Sequence, residues 1–138
     1  MNINFFSEDT DFELNQQKSI QSWISTVISK EGYELNQLSY IFCSDEYLHS
    51  INQEYLNHDT YTDIITFDNS EKENAIESDI FISVDRVKEN ADLQQSAFED
   101  ELARVLIHGI LHLMGWGDKT EALKKQMRLK EDACLSLR

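Results

Sequence analysis

The chain has 138 residues, a formal net charge of −14, two cysteines and no proline. This length suits one domain that buries a hydrophobic core without disulfides. No segment approaches the roughly 20 apolar residues that span a membrane, and no signal-peptide pattern is present, so a cytoplasmic protein with reduced thiols is expected. The acidic charge argues against broad electrostatic binding to nucleic acid, which usually requires a basic surface.

Hydrophobic spacing predicts strands and helices along most of the chain. The expected strands are residues 3–6, 35–43, 63–67 and 79–84. The expected helices are residues 15–30, 46–56, 87–93, 98–114 and 120–135, with Asp85 as a possible earlier start of the third. The charged stretch 68–78 is expected to be a mobile connection, because Ala75 and Ile76 are its only apolar residues. The pattern predicts an α+β fold, with a mixed sheet of about four strands packed against four or five helices in one domain.

The same spacing predicts which helical side chains face the core. The helix at 98–114 is the most apolar one and is expected to be central and buried. In the helix at 46–56 the expected buried stripe is Tyr47, Leu48, Ile51 and Tyr55. In the last helix the residues expected to point inward are Leu123, Met127 and Leu129.

Charge is distributed unevenly along the chain. Residues 1–100 contain 21 Asp and Glu against 5 Lys and Arg, whereas residues 101–138 contain 5 against 7. The end of the chain therefore offers a mildly basic surface, formed by Lys119, Lys124, Lys125, Arg128 and Lys130. Such a surface is more often an ordinary solvated helix face than a binding site.

His108 and His112 stand four residues apart near the end of the central helix. That spacing places their Cβ atoms roughly 5–6 Å apart on one face, so that both imidazoles can reach one ion. Gly115 is placed to end the helix in a left-handed conformation, and Gly117 gives a second flexible point. Asp118 can then turn back as the third metal ligand, which predicts a metal site at the end of the central helix.

The spacing is that of the metzincin signature H-E-x-x-H-x-x-G-x-x-H, with Gly109 in place of the Glu and Asp118 in place of the last His. An Asp oxygen binds zinc about as closely as an imidazole does. Gly109 cannot serve as a general base, which disfavours peptide hydrolysis. One Zn²⁺ per chain is expected, although this ligand set also accepts nickel, cobalt or ferrous iron. The alternative is two ordinary histidines on a half-buried helix.

Three motifs resemble those of the YbeY endoribonuclease family. Residues 108–118 resemble its H-G-x-L-H-L-x-G-[YW]-x-[HD] signature. Residues 52–67 resemble N-x-x-Y-R-x-x-D-x-P-T-D-V-L-S-F, and residues 79–83 resemble the strand G-D-I-x-I-S. The chain departs from the family at Leu56, where the family has Arg, and at Asp118, where the third ligand of the family is a histidine.

The resemblance implies a zinc-dependent, single-strand-specific endoribonuclease that acts in 3′-end maturation of small-subunit (16S) rRNA and in ribosome quality control. Residues 1–138 would then be one metal-dependent hydrolase-like domain. The implied partners are single-stranded rRNA and a small-subunit ribosomal protein or assembly GTPase, with no membrane and no DNA. Because Leu56 lacks a cation, His58 is a candidate catalytic donor, although it fits equally well as a surface histidine.

Two other functions remain open from the sequence. Leu56 and the acidic charge favour a non-catalytic ribosome-assembly factor whose metal is structural. A metalloprotease fits less well because of Gly109. In the ribonuclease hypothesis the metal assists phosphodiester cleavage, and Tyr61 or Trp116 either stacks on a base or packs in the core.

Overall fold

The computed structural model describes residues 2–138, which form four strands and five helices. The strands are β1 (Ile3–Ser7), β2 (Glu34–Cys43), β3 (Ile64–Asp68) and β4 (Ala75–Ser83). The helices are α1 (Gln17–Lys30), α2 (Asp45–Leu56), α3 (Val84–Gln94), α4 (Phe98–Leu113) and α5 (Glu121–Leu135). The predicted α+β fold, one domain with a mixed four-stranded sheet, is confirmed. In residues 2–138 no helix combines the length and apolarity that crossing a membrane requires.

The sheet has the strand order β1-β2-β4-β3. Strands β1, β2 and β4 run parallel, and β3 pairs antiparallel with β4 at the edge of the sheet. Parallel neighbours need long crossover connections, which α1 provides between β1 and β2. The crossover from β2 to β4 contains α2, the loop 57–63 and the edge strand β3.

Helix α4 is buried, as the sequence predicts. It contacts β3 and β4 of the sheet as well as α3 and α5. Leu106, Ile107, Ile110 and Leu111 have no exposed surface. The Tyr40 hydroxyl of β2 donates a hydrogen bond of 2.9 Å to the Leu106 carbonyl and ties the helix to the sheet. The end of α4 is therefore held rigidly.

Two predicted boundaries are wrong. Strand β4 begins at Ala75 rather than at residue 79, so the segment 68–78 is partly a strand paired with β2. Backbone pairing extends this strand through charged residues that break its apolar pattern. Helix α3 begins at Val84 rather than at residue 87, because the Ser83 hydroxyl caps it by accepting a bond of 3.1 Å from the Arg86 N–H.

The predicted inward faces of α2 and α5 are partly wrong. Tyr55 is 65% exposed and lies edge-on to Phe67 instead of in the core. In α5, Leu129 is 68% exposed and Leu123 is 39% exposed. Positions 127 and 129 point about 200° apart on a helix, so they cannot share its buried face. The buried residues of α5 are Met127, Glu131 and Cys134.

Gly109 lies where α4 approaches the sheet most closely. A Cβ atom on this residue would lie 2.9 Å from Ile64 Cδ1 of β3 and 3.2 Å from Ile80 Cδ1 of β4. Ile80 is fully buried and has little room to move. The residue after the first histidine therefore faces the packed sheet, where a glutamate side chain has no space.

We expect Gly109→Ala to destabilise the protein by about 1–2 kcal/mol, because overpacking outweighs the roughly 1 kcal/mol that alanine gains in a helix. Ile64→Val removes the methyl group nearest to the new Cβ. The double variant should therefore be more stable than the sum of the two single changes predicts. Urea unfolding of the four proteins measures this coupling, and strictly additive effects would contradict the packing constraint.

Candidate metal centre

The end of α4 returns the chain toward the two histidines. The chain reverses at Gly115, whose φ of +95° lies in the left-handed region that glycine adopts without strain. The Trp116 N–H donates a hydrogen bond of 3.0 Å to the Leu111 carbonyl and closes the last turn. This reversal brings Asp118 back beside the helix, as the sequence predicts.

His108, His112 and Asp118 converge on one point. Asp118 Oδ2 lies 3.5 Å from His108 Nε2 and 3.5 Å from His112 Nε2. The three ligand atoms all lie within 4.8 Å of one another. A tetrahedral zinc ion with bonds of about 2.0 Å places its ligand atoms about 3.3 Å apart. The cluster, which we call the triad, therefore has the donor chemistry that such an ion needs, and both carboxylate-to-imidazole distances are close to the required spacing.

A buried carboxylate orients one of the imidazoles. Glu131 Oε2 lies 2.6 Å from His108 Nδ1, and Glu131 is only 5% exposed. An ionised carboxylate only accepts hydrogen bonds, so Nδ1 carries the hydrogen. In the neutral ring, Nε2 then presents its lone pair toward Asp118. This is the tautomer that a metal ligand requires.

Arg104 completes the network around this carboxylate. Its Nη1 donates a hydrogen bond of 2.8 Å to Glu131 Oε1, and its Nη2 donates one of 2.6 Å to Asp132 Oδ1. Burial alone would raise the pKa of Glu131, but the hydrogen bonds from His108 and Arg104 lower it. Burial would lower the pKa of His108, but the bond to Glu131 and the nearby carboxylate charges raise it. The two shifts have the same origin, namely the short hydrogen bond between His108 and Glu131.

Two cavities flank the triad. The first, which we call the loop cavity, has a volume of about 400 Å³. It is lined by Asn52, Leu56, His58, Thr60, Thr62, Asp63, Ile64, Ile65, Thr66 and the triad. The second, which we call the helix cavity, has a volume of about 330 Å³. It is lined by Asp63, Asn90, Gln94, Glu101, Arg104, Val105, His108, Asp118, Lys124, Met127, Arg128 and Glu131.

His58 is exposed and lines the loop cavity together with the triad. The loop that carries it is fixed by Asn52, a residue only 3% exposed. The Asn52 side-chain amide donates a hydrogen bond of 2.8 Å to the Thr60 carbonyl, and the His58 N–H donates one of 3.1 Å to the Asn52 carbonyl. Leu56 lines the same cavity and is 41% exposed.

The two aromatic candidates already have partners within the protein. The Tyr61 ring stacks on His49 with centroids 4.1 Å apart, and its hydroxyl donates a hydrogen bond of 2.9 Å to Glu46. Trp116 packs against the core, with the Lys130 ammonium 5.5 Å from its ring. Neither ring lines a cavity beside the triad within residues 2–138.

Sequence reasoning missed Glu131, Arg104 and Asp63. Arg104 precedes His108 by four residues and so shares its helix face, a signal that was readable from the sequence. Glu131 is not identified from the sequence, because the apolar pattern of α5 predicts a buried face that does not include it. The apolar pattern predicts Asp63 as the first residue of a strand, whereas in the structure it precedes β3 and lines both cavities beside His108.

The chain matches one protein family over nearly its full length. A family model described as Endoribonuclease YbeY matches residues 2–137. The Endoribonuclease YbeY of Cytophaga hutchinsonii is 60% identical over 136 residues, which cover 99% of this chain and 95% of that protein. Its counterpart from Christiangramia forsetii is 53% identical over 135 residues, covering 98% and 93%. The solution structure of a Thermotoga maritima protein, 26% identical, matches with a TM-score of 0.68, covering 98% of this chain and 87% of its own.

Glu101, in the wall of the helix cavity, should make stability depend on pH. Burial raises its pKa, and the charge of Asp63 raises it further. The folded protein thus binds this proton more tightly than the unfolded chain. Ionising Glu101 therefore costs no stability below the pKa that it has in the unfolded chain. The cost is complete above the higher pKa that it has in the folded protein.

We expect Glu101→Gln to stabilise the protein at about pH 7 and to have little effect below about pH 4, where the acid is neutral in both states. Denaturant unfolding at the two pH values measures the difference. Glu99→Gln, an exposed change on the same helix, is the control and should have little effect at either pH. An equal effect of Glu101→Gln at both pH values would contradict the assignment.

Proposed function

The chain belongs to the Endoribonuclease YbeY family, which confirms the prediction from the three motifs, and we propose that it is a metal-dependent endoribonuclease. The observation that carries this proposal is the convergence of His108, His112 and Asp118. We take residues 1–138 as one hydrolase domain that cleaves phosphodiester bonds in single-stranded RNA. Its proposed role is 3′-end maturation of 16S rRNA and ribosome quality control in the cytoplasm.

We propose that the triad holds one zinc ion or a related divalent transition metal. Three protein ligands leave a fourth position open, as in catalytic rather than structural zinc sites. When bound, the ion supplies Lewis acidity toward a phosphate oxygen and increases the acidity of water. Glu131 fixes the ring orientation and tautomer of His108 by accepting a hydrogen bond from Nδ1, and Arg104 holds Glu131 in place by donating to its other oxygen.

The position of the triad between two cavities supports a single-stranded substrate. A flexible strand can pass from one cavity to the other and place one phosphate at the triad. A duplex cannot bend its backbone into that position. The packing of Gly109 against Ile64 and Ile80 supports a nuclease over a metalloprotease, because a glutamate base has no space there.

We further propose that His58 acts as a proton donor in cleavage. Over residues 2–138, its imidazole makes no hydrogen bond with a protein group, so it is available to substrate. A protonated imidazole in the loop cavity can give its proton to the leaving oxygen of a phosphodiester near the triad and becomes neutral in doing so.

A non-catalytic ribosome-assembly factor is the second candidate. An apolar residue, Leu56, is exposed in the loop cavity where the family has a cation. The net charge of −14 also predicts weak affinity for free RNA. Under either function we propose that a small-subunit ribosomal protein or an assembly GTPase brings the chain to its RNA.

Removing a triad ligand should abolish both metal binding and cleavage. We expect His112→Ala and Asp118→Asn to purify without stoichiometric zinc and to cleave single-stranded RNA more than about 100-fold more slowly. Asp132→Asn is the matched control, because Asp132 contacts Arg104 but lies outside the triad. Elemental analysis of untagged protein and a single-turnover assay measure the two properties.

The outcomes separate the candidates. Cleavage that persists in His112→Ala would refute the proposed site, since it would come from a contaminant or another site. Wild-type protein that binds zinc but cleaves no RNA would instead favour the assembly factor with a structural metal.

His58→Ala should slow cleavage by about 10²–10⁴-fold, the usual contribution of a general acid, and leave the metal content unchanged. The control is His49→Ala. His49 Nε2 donates a 2.9 Å hydrogen bond to Asp59 Oδ1, and its ring stacks on Tyr61, so its loss loosens the same loop without removing a side chain from the cavity. Unchanged cleavage by His58→Ala, or an equal loss in His49→Ala, would refute a role for the imidazole.

A further inference from the structure

One face of α5 forms a wall of the helix cavity. Lys124, Met127, Arg128 and Glu131 have the spacing i, i+3, i+4, i+7, which places them on one side of a helix. All four line the cavity that also contains His108 and Asp118. Met127 and Glu131 are buried, whereas Lys124 and Arg128 are exposed. The cavity therefore has two cations at its solvent side, next to two members of the triad.

The charges of Lys124 and Arg128 are not neutralised by close carboxylates. Lys124 Nζ lies 3.7 Å from Glu121, a carboxylate whose side chain is 89% exposed, and such surface contacts contribute little. Arg128 donates a long hydrogen bond of 3.4 Å to the neutral amide oxygen of Gln94. Lys130, by contrast, is paired with Glu31 at 2.9 Å. The two cavity cations are thus available to an external anion.

Four carboxylates also line this cavity, namely Asp63, Glu101, Asp118 and Glu131. Glu131 already receives hydrogen bonds from Arg104 and His108. Lys124 and Arg128 are exposed at the mouth of the cavity, whereas Glu101 and Glu131 are buried in its walls.

We propose that Lys124 and Arg128 form a phosphate-binding subsite that holds the RNA backbone beside the phosphodiester at the triad. This inference rests on the proposed function and specifies where its polyanionic substrate binds. The arginine can bind phosphate with two parallel hydrogen bonds, and the lysine adds a point charge from one helical turn away. Contacts to phosphate position a strand without reading its bases, so the subsite tolerates any sequence.

The test compares Lys124→Ala and Arg128→Ala with Lys125→Ala. Lys125 is an exposed cation on the same helix that does not line the cavity, so all three variants lose one charge from the same helix. The probe is a fluorescently labelled, single-stranded 2′-O-methyl oligouridylate, bound to zinc-loaded protein over a range of KCl concentrations. Thermal unfolding and zinc content should match the wild type in every variant.

We expect Lys124→Ala and Arg128→Ala each to weaken binding by about three- to tenfold at low salt and to reduce the salt slope of log Kd by about one. Lys125→Ala should change neither quantity. With cleavable RNA, the two cavity variants should raise KM and leave kcat unchanged, because a phosphate contact away from the reacting atoms binds ground and transition states equally.

Equal weakening by all three variants would indicate diffuse attraction to α5 and would overturn the subsite. No weakening by Lys124→Ala and Arg128→Ala would overturn it as well. Failure of the proposed function has a different signature, namely wild-type protein that holds no zinc or cleaves no RNA. The binding assay reports on the subsite independently of cleavage.

Discussion

The close packing of α4 against the sheet determines the geometry of the triad. Gly109 faces β3 and β4 with no space for a side chain, which fixes the rotation of the helix about its axis. Successive residues of a helix point about 100° apart, so this rotation directs His108 away from the sheet and toward α5. His112, one turn later, lies on the same face. A glycine that carries no functional group thus sets the direction of both imidazoles.

Helix α5 contributes no residue to the triad, yet the triad depends on it. Buried charges destabilise a protein unless each is paired and hydrogen bonded. Here the two oxygens of Glu131 are satisfied by His108 and Arg104, and the other end of the guanidinium binds Asp132. If His108 or Arg104 is lost, the buried Glu131 carboxylate loses one of its two partners, whereas the loss of the exposed Asp132 leaves both in place. The orientation of His108 therefore depends on the packing of α5 against α4, because Glu131 lies on α5 and both of its partners lie on α4.

Features set by local chemistry were predictable from the sequence. The histidine spacing, the left-handed Gly115 and the return of Asp118 each depend on a few adjacent residues, and all are present in the structure. Features set by tertiary packing were not. The buried face of α5 contains Glu131, which only becomes favourable inside once Arg104 and His108 are positioned to receive it. The apolar pattern alone predicts that Leu129 is buried, but this residue is exposed in the structure.

Positive charge lies on only one side of the triad. Within residues 2–138 no lysine or arginine lines the loop cavity, where Leu56 stands in the position of the family cation. The helix cavity has two available cations, Lys124 and Arg128. A single strand crossing the triad would therefore be held electrostatically on the α5 side. On the other side it would meet a lining without cations, which includes the carboxylate of Asp63 and therefore does not attract phosphates.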